Sequence, residues 1–249
     1  MINGKQLRIK KLLPNGKAVF LALDHGFSMG PIKGLENLDS VISNFCDSSI
    51  NGLIINYGAM KNLEISSLGN CKIPIIIHLS GSGLGKNAKE KYVLYDVKDA
   101  LRMGADAVSL QINFDTATER EQIIGASKII KQADYMGIPV LLMMYSKSKN
   151  SKGKLENIVR LGVELGADLI KIDIGGDMPL LQNISRNSKV PILIAGGELK
   201  NKETELKKSL SNYLKHGAVG ISIGRNIFQS NNPKSLMSMV CEFVHNYEK

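Results

Sequence analysis

The chain has 249 residues, of which 43% are hydrophobic and 22% are charged. This composition is that of a globular protein and excludes a disordered or fibrous chain. No apolar run approaches the roughly 18 residues that a membrane-spanning helix needs, and the start MINGKQLRIK lacks the apolar core of a secretory signal. We therefore expect a cytoplasmic protein without a membrane partner, folded as a single domain over residues 1–249.

The chain is basic, with 32 Lys and Arg against 23 Asp and Glu and a formal net charge of +9. Such a balance suits nucleic acid or phosphorylated small molecules. The lysines are scattered, Trp is absent, and the few Tyr and Phe do not interleave with Arg. We therefore predict no nucleic-acid partner. Cys46, Cys71 and Cys241 are far apart in sequence and form no C-x-x-C pair, which predicts neither a disulfide framework nor a zinc site.

Short apolar runs rich in Val and Ile recur along the chain, and each follows a Gly, Pro, Ala or other turn residue. Continuous apolar runs of this kind predict strands buried on both faces, as in a parallel sheet. In chain order the predicted strands are Ala18–Leu23, Gly52–Asn56, Pro74–Leu79, Ala107–Ile112, Pro139–Tyr145, Asp168–Asp173, Pro191–Ala195 and Val219–Ile223.

The longer segments between these runs are predicted to be helices. Gln122–Met136 and Leu155–Leu165 carry apolar residues at helical spacing. Several segments end in a glycine directly before the next strand, as expected of a left-handed helix cap; these are Gly104, Gly137, Gly166 and Gly217.

Eight strand–helix units without a linker predict a single (β/α)8 TIM barrel. A doubly wound dinucleotide-binding sheet would carry G-x-G-x-x-G after its first strand, where this chain has Leu23-Asp24-His25-Gly26. Gly81-Ser82-Gly83 follows the third strand but lacks the third glycine. We therefore expect no cofactor.

Catalytic groups of such barrels lie at the carboxyl ends of the strands. Lys171 is the most informative of them, because it interrupts an apolar strand where burial lowers the pKa of an amine and prepares it to form a Schiff base. A lysine pointing outward, or one paired with Asp173 or Asp24, is the alternative. The other polar groups at strand ends are Asp24, His25, His78, Asn113 and Tyr145.

Tyr145 and Asp24 are candidates for proton transfer near Lys171. Each also has a purely structural alternative, namely a core-capping tyrosine and a turn-capping aspartate. His25 and His78 are weaker candidates for substrate binding, because a lone histidine at a strand end is commonly a hydrogen-bonded packing residue.

Two glycine turns, Gly196-Gly197 and Gly224-Arg225, follow the last two predicted strands. Loops in these positions are the usual phosphate site of such barrels, where glycine allows close backbone approach and arginine grips the oxygens. No carboxylate–histidine cluster suggests a metal, so activation by an amine is favoured.

With these residues placed, the chain resembles the DeoC/LacD-type class I aldolases. The resemblance covers nearly the whole chain, includes the archaeal-type fructose-bisphosphate aldolases and is greater still to the 2-amino-3,7-dideoxy-D-threo-hept-6-ulosonate synthases. The stretches that carry it include LDHGFSMGPIKGLE, GIPVLLMMY, LGADLIKIDIGGD, PILIAGGE and GISIGRNIFQ.

This resemblance implies that Lys171 is the Schiff-base lysine, Tyr145 the acid/base and Asp24 the catalytic aspartate. It implies phosphate binding at Gly196, Gly197, Gly224 and Arg225, and a homo-oligomer such as a pentamer or decamer. The expected substrates are a phosphorylated ketose or triose and an aldehyde acceptor such as L-aspartate semialdehyde.

The alternatives are a fructose-bisphosphate aldolase, a thiolase-like enzyme and a non-catalytic phosphosugar-binding barrel. The sequence departs from the family after Tyr145, where Ser146-Lys147 replaces Pro-Arg, and after Lys171. Both departures border the substrate and leave the acceptor open. The basic run Ser146–Lys154 attracts the acceptor's carboxylate in one interpretation and is a solvated loop in the other.

Overall fold

The computed structural model describes residues 3–69, 71–83, 88–147, 152–197 and 203–248. Eight parallel strands close into a barrel in the order β1-β10-β9-β8-β7-β6-β3-β2, which confirms the predicted (β/α)8 fold. The barrel strands are β1 Ala18–Ala22, β2 Gly52–Asn56, β3 Ile75–His78, β6 Ala107–Phe114, β7 Val140–Ser146, β8 Leu169–Ile172, β9 Ile192–Ala195 and β10 Gly220–Ile223.

Each predicted run overlaps one barrel strand, and no end differs by more than two residues. Five strands begin one residue later than predicted, and three of these begin directly after Pro74, Pro139 and Pro191. Proline has no N–H to donate to a neighbouring strand, so the ladder starts at the following residue.

Helices cover the outside of the barrel. Leu155–Leu165 is helical as predicted, and the predicted Gln122–Met136 helix begins three residues earlier at Glu119. All four predicted cap glycines have positive φ angles, from 66° at Gly137 to 103° at Gly217. The helices are α1 Gly4–Leu12, α2 Gly26–Met29, α3 Leu38–Ser43, α4 Tyr57–Lys61, α5 Ile65–Leu68, α6 Val97–Arg102, α7 Glu119–Met136, α8 Leu155–Leu165, α9 Met178–Asn187, α10 Glu203–Lys215, α11 Arg225–Phe228 and α12 Pro233–His245.

The alternation of side chains along each strand separates two apolar cores. On β1, Phe20 and Ala22 point into the barrel, whereas Val19 and Leu21 pack against the helices. Since successive residues of a strand face opposite sides, each strand continues its interior row at every second residue. At the carboxyl ends, these rows change from apolar to polar residues and form the mouth of the barrel.

Two elements were not predicted from the sequence. Helix α1 packs under the barrel, where Leu12 is 1% exposed and joins the interior core. A small antiparallel hairpin, β4 Ser80–Ser82 and β5 Lys91–Val93, leaves the barrel after β3. A Cβ atom at Gly81 would stand 2.7 Å from Phe27 and 2.4 Å from Leu94. This glycine therefore permits the hairpin to pack closely.

The three cysteines are free thiols. Cys46 and Cys71, which are distant in sequence, are neighbours in the fold, and burial together with a hydrogen bond to Cys71 raises the pKa of Cys46 to about 12. Among the described helices, none is long and apolar enough to cross a membrane.

Candidate active site

A cavity of about 230 Å³ opens at the mouth of the barrel, where the carboxyl ends of the strands meet. We call it the mouth cavity. Every residue that the sequence predicted for catalysis or substrate binding lines this cavity. These residues are Asp24, His25, His78, Tyr145, Lys171, Gly196, Gly197, Gly224 and Arg225.

Lys171 points into the barrel, because it is two residues beyond Leu169 on β8 and Leu169 belongs to the interior core. The residue is 6% exposed, and its Nζ lies 4.0 Å from the Met143 sulfur, a weak acceptor. Burial lowers the pKa of the Lys171 amine, and the charge of Asp24 opposes that shift only in part. An outward-pointing lysine is therefore the wrong interpretation of this position.

The interpretation that pairs Lys171 with Asp173 is also wrong. Asp173 is exposed, and its carboxylate accepts a hydrogen bond from the Gly175 N–H at 3.0 Å. The carboxylate that acts on Lys171 is Asp24.

Asp24 continues the interior row of β1 beyond Ala22, and the Asn56 side chain fixes its backbone by donating to the Asp24 carbonyl at 2.9 Å. Burial alone would raise the pKa of this carboxyl, but the positive charges around it hold the pKa below its ordinary value. His78 is neutral at neutral pH, so Lys171 supplies the larger part of that charge. Asp24 is therefore a carboxylate.

Tyr145 ends the interior row of β7 above Met143. Burial, reinforced by the negative charges of Asp24 and Asp173, raises the pKa of the phenol above its ordinary value. The Lys147 ammonium lies 5.3 Å from the centre of the ring. Tyr145 is therefore a protonated phenol in the resting site.

The two histidines have different surroundings. The Nδ1 of His78 lies 2.9 Å from the Ser109 hydroxyl, and burial lowers the His78 pKa to about 4. His25 packs its edge against Phe228 with ring centres 5.4 Å apart, and its Nδ1 is 3.8 Å from the Asp24 carboxylate. Both line the mouth cavity, and burial also lowers the pKa of His25. Each can bind substrate as a neutral imidazole.

The two glycine turns form one connected surface. Arg225 donates to the Gly197 carbonyl at 3.2 Å, and Asn226 donates to the Gly196 carbonyl at 3.1 Å. The Gly196 N–H donates to the carbonyl of Ser222 at 2.9 Å, so it is not a free donor for a phosphate. Glycine at position 196 instead permits close packing against β10, since a Cβ there would stand 2.9 Å from Ile223.

The sequence analysis did not single out Ser222, Gln111 or Lys91, which also line the mouth cavity. Ser222 lies on the interior row of β10, and its buried hydroxyl has no hydrogen-bond partner among the described residues. Lys147, which belongs to the basic run Ser146–Lys154, lines the mouth cavity as well. Ser222 and Gln111 could have been found, because each occupies an interior position of a predicted strand.

Other predicted features lie outside the reacting centre. Asn113, one residue inside the end of β6, is buried, and its amide bonds to the Lys89 carbonyl at 2.6 Å and accepts from Gln111 at 2.8 Å. Residues 148–151 of the basic run fall outside the described residues, whereas Lys154 pairs with Asp115. Within the described ranges no group of three His, Cys, Asp or Glu side chains could hold a metal ion.

Comparison with known proteins places the chain in a family. Residues 18–230 match the model of the DeoC/LacD family of aldolases. The chain belongs to this family. As an aldolase, it carries the mouth cavity in the position that TIM-barrel enzymes use for catalysis.

The relatives of this aldolase include proteins named as synthases and as aldolases. The 2-amino-3,7-dideoxy-D-threo-hept-6-ulosonate synthase 1 of Archaeoglobus fulgidus is 33% identical over 97% of this chain and 91% of its own length. The 2-amino-4,5-dihydroxy-6-oxo-7-(phosphonooxy)heptanoate synthase of Streptomyces griseus is 27% identical over 97% of this chain and 90% of its length. A crystal structure of an archaeal fructose 1,6-bisphosphate aldolase has the same fold, with a TM-score of 0.85, 24% identity and coverage of 98% and 100%.

Proposed function

We propose that this aldolase forms a Schiff base between Lys171 and the ketone of a phosphorylated ketose or triose, and that the resulting enamine adds to an aldehyde. The observation that carries the proposal is the position of Lys171. Its amine is buried at the mouth of the barrel beside the Asp24 carboxylate and within one cavity with the Tyr145 phenol. Burial lowers the pKa of this amine and so favours the neutral form that attacks carbonyl carbon.

The reaction begins when the Lys171 amine adds to the ketone and forms a carbinolamine. Loss of water gives an iminium, which withdraws electrons from the neighbouring carbon. An enamine forms there in one of two ways: a C–C bond breaks and the other fragment leaves as an aldehyde, its hydroxyl proton passing to a base, or a proton is lost from the carbon. The enamine carbon then adds to the aldehyde carbon of the acceptor, and water hydrolyses the new iminium to release the product and the free amine.

The protonation states of Tyr145 and Asp24 assign their roles. The Tyr145 phenol begins protonated and donates to the carbinolamine hydroxyl as it leaves as water. It regains a proton from solvent and then donates to the aldehyde oxygen as the new bond forms. The Asp24 carboxylate begins ionised, accepts the proton removed from substrate and offsets the positive charge of the iminium.

The glycine turns hold the phosphate of the donor. The Arg225 guanidinium reaches the rim of the mouth cavity, and the Ser222 hydroxyl adds a donor beneath it. The named relatives favour a phosphorylated sugar donor, and the synthases of A. fulgidus and S. griseus favour an amino-acid-derived aldehyde such as L-aspartate semialdehyde as acceptor. Fructose 1,6-bisphosphate is the second candidate substrate.

Reductive trapping tests the Schiff base directly. The protein is incubated with dihydroxyacetone phosphate, reduced with borohydride, and examined by intact mass and peptide mapping. We expect a single reduced adduct on Lys171. A binding protein without catalysis would bind the ligand and give no adduct.

The matched variants are Lys171→Arg and Lys208→Arg, the second on the surface helix α10. We expect Lys171→Arg to lose both adduct and turnover, since a guanidinium does not form the imine, and Lys208→Arg to keep both. Full turnover by Lys171→Arg would refute the mechanism. Cleavage of fructose 1,6-bisphosphate, against condensation with L-aspartate semialdehyde, then decides between the two candidate substrates.

A further inference from the structure

The mouth cavity carries more positive charge than the donor phosphate accounts for. Four basic side chains line it, against the two carboxylates Asp24 and Asp173. Lys171 is used in the covalent chemistry and Arg225 belongs to the glycine turns. Lys91 and Lys147 remain, and the proposed reaction gives neither of them a task.

Lys91 is buried although Glu90 and Tyr92, the residues on either side of it in sequence, are not. It is 5% exposed, whereas Tyr92 is 46% exposed, because alternate residues of β5 face opposite sides. The nearest carboxylate in sequence, Glu90, is turned away and accepts a hydrogen bond from the Thr118 N–H at 3.1 Å. Within the described chain, Lys91 interacts with charges at a distance and is bound by no side-chain hydrogen bond.

The hairpin that carries Lys91 is held firmly against the barrel. The Leu94 N–H donates to the Leu79 carbonyl at 2.9 Å, and the Asn113 amide donates to the Lys89 carbonyl at 2.6 Å. Ser82 lies opposite Lys91 in the antiparallel register. These hydrogen bonds therefore fix the hairpin in the position that buries the Lys91 side chain.

The strand order places Lys91 across the barrel from the glycine turns. The turns follow β9 and β10, and the strands diametrically opposite in the closed order are β6 and β3. The hairpin extends from β3, and Gln111 of β6 lines the same side. A substrate phosphate at the turns and an anion at Lys91 would thus bind on opposite sides of the mouth cavity.

We propose that Lys91 binds an anionic group, carboxylate or phosphate, on the aldehyde acceptor. This inference rests on the proposed function, since it concerns the second substrate of the same reaction. A buried ammonium stabilises an anion as a charge-assisted hydrogen bond. It also discriminates against aldehydes without a charge, because these leave the cation desolvated and unpaired. Burial, opposed by Asp24, lowers the pKa of Lys91 to about 8, so the side chain is mainly cationic at neutral pH.

The test measures kcat/KM for three acceptors with dihydroxyacetone phosphate as donor: L-aspartate semialdehyde, glyceraldehyde 3-phosphate and uncharged glycolaldehyde. We expect Lys91→Met to lower the preference for an anionic acceptor over glycolaldehyde roughly tenfold to a hundredfold. The anionic aldehyde whose preference falls identifies the group as carboxylate or phosphate. Lys91→Gln, which keeps length and polarity, is expected to behave alike even if Lys91→Met folds poorly.

The matched control is Lys89→Met, on the same hairpin but with an exposed side chain. We expect it to keep the preference of the original protein. Borohydride trapping on Lys171 is measured in parallel for each variant. An adduct together with an unchanged preference in Lys91→Gln would overturn the assignment of Lys91 and leave the proposed function standing, whereas the absence of an adduct in the unsubstituted protein would overturn the proposed function itself.

Discussion

At the scale of single residues, one cavity holds two acids in opposite states. Tyr145 is protonated because burial and two carboxylates raise the pKa of its phenol, and Asp24 is ionised because nearby cations outweigh its own burial. A proton donor and a proton acceptor therefore coexist beside Lys171. Separated pKa values of this kind are how enzymes assign acid and base roles.

The role of Tyr145 predicts the effect of removing its hydroxyl. Tyr145→Phe keeps the ring and its packing above Met143 but removes the proton donor. We expect kcat to fall by about 10²–10⁴-fold, the usual contribution of a positioned acid, with an unchanged unfolding temperature. Steady-state kinetics and thermal unfolding measure the two quantities, and a kcat within threefold of the original would reject Tyr145 as the acid.

The neutral state of His78 predicts a loss of stability in acid. The pKa of His78 is about 4 in the fold and 6.5 in an unfolded chain, so the unfolded chain binds a proton first as the pH falls. This contribution to stability is complete above pH 6.5 and is lost between pH 6.5 and 4, a change of about 3 kcal/mol in the free energy of unfolding. Between pH 6.5 and 4, urea unfolding should show a smaller loss in the free energy of unfolding for His78→Gln than for the original protein. Equal losses in the two proteins would contradict a buried neutral histidine.

The residues that the sequence predicted for catalysis lie together in the mouth cavity, and they could be singled out because strand ends are recognisable in the sequence. Lys91 was not found, since its hairpin strand has only three residues and no periodicity that a sequence reveals. Predicting Ser222 and Gln111 would have required knowing whether each side chain points into the barrel or toward the helices. That direction follows from alternation only once the strand bounds are fixed.

At the scale of elements, the barrel closes where β1 meets β10. Ala18 is paired with Gly220 in this register, and a Cβ at Gly220 would stand 1.8 Å from the Ala18 carbonyl oxygen. The glycine is therefore required by the close approach of two backbones, not by its φ angle.

We predict that Gly220→Ala lowers the free energy of unfolding by about 3 kcal/mol, because the two strands must separate to admit the methyl group. Gly58→Ala on helix α4 is the control. No atom lies within 4 Å of its added Cβ, and alanine favours a helix by up to about 1 kcal/mol. Equal unfolding midpoints for the two variants would argue against this packing at the seam.

The elements that the sequence predicted are those with a strong local pattern. The eight barrel strands are continuous apolar runs, and the helix caps are marked by glycine. Helix α1 was missed because its sequence, GKQLRIKKL, is dominated by charge and has little apolar periodicity. Its place under the barrel depends on tertiary contacts of Ile9 and Leu12 that no local pattern shows.

At the scale of the whole molecule, ion pairs connect α1 to elements that are distant from it in the chain. Lys5 forms ion pairs with Asp134 at the end of α7 and with Asp168 before β8, the second at 2.7 Å. Asp168 also accepts a hydrogen bond from the Val140 N–H at 2.9 Å. The Lys5 and Asp168 side chains are only 13% and 14% exposed, so water screens the pair poorly.

Lys5→Met should therefore lower the free energy of unfolding by about 2–3 kcal/mol, because it leaves a largely buried carboxylate without its cation. Lys11→Met is the matched control on the same helix. Lys11 lies 3.7 Å from Asp106 and its side chain is 64% exposed, so its loss should change stability little. Chemical denaturation of both variants measures the difference, and equal free energies of unfolding would show that the ion pairs of Lys5 do not stabilise the fold.

The hairpin after β3 separates the residue proposed to bind the acceptor from the residues proposed to form the bond. Lys171, Tyr145, Asp24 and the glycine turns belong to the closed barrel, where a change in backbone disturbs neighbouring strands. The hairpin is a separate two-stranded sheet outside the barrel ladder, and segments that connect barrel elements accept substitution more readily than the strands. If Lys91 binds the acceptor, substitutions in the hairpin can change which acceptor reacts during evolution, while the barrel residues that form the bond stay the same.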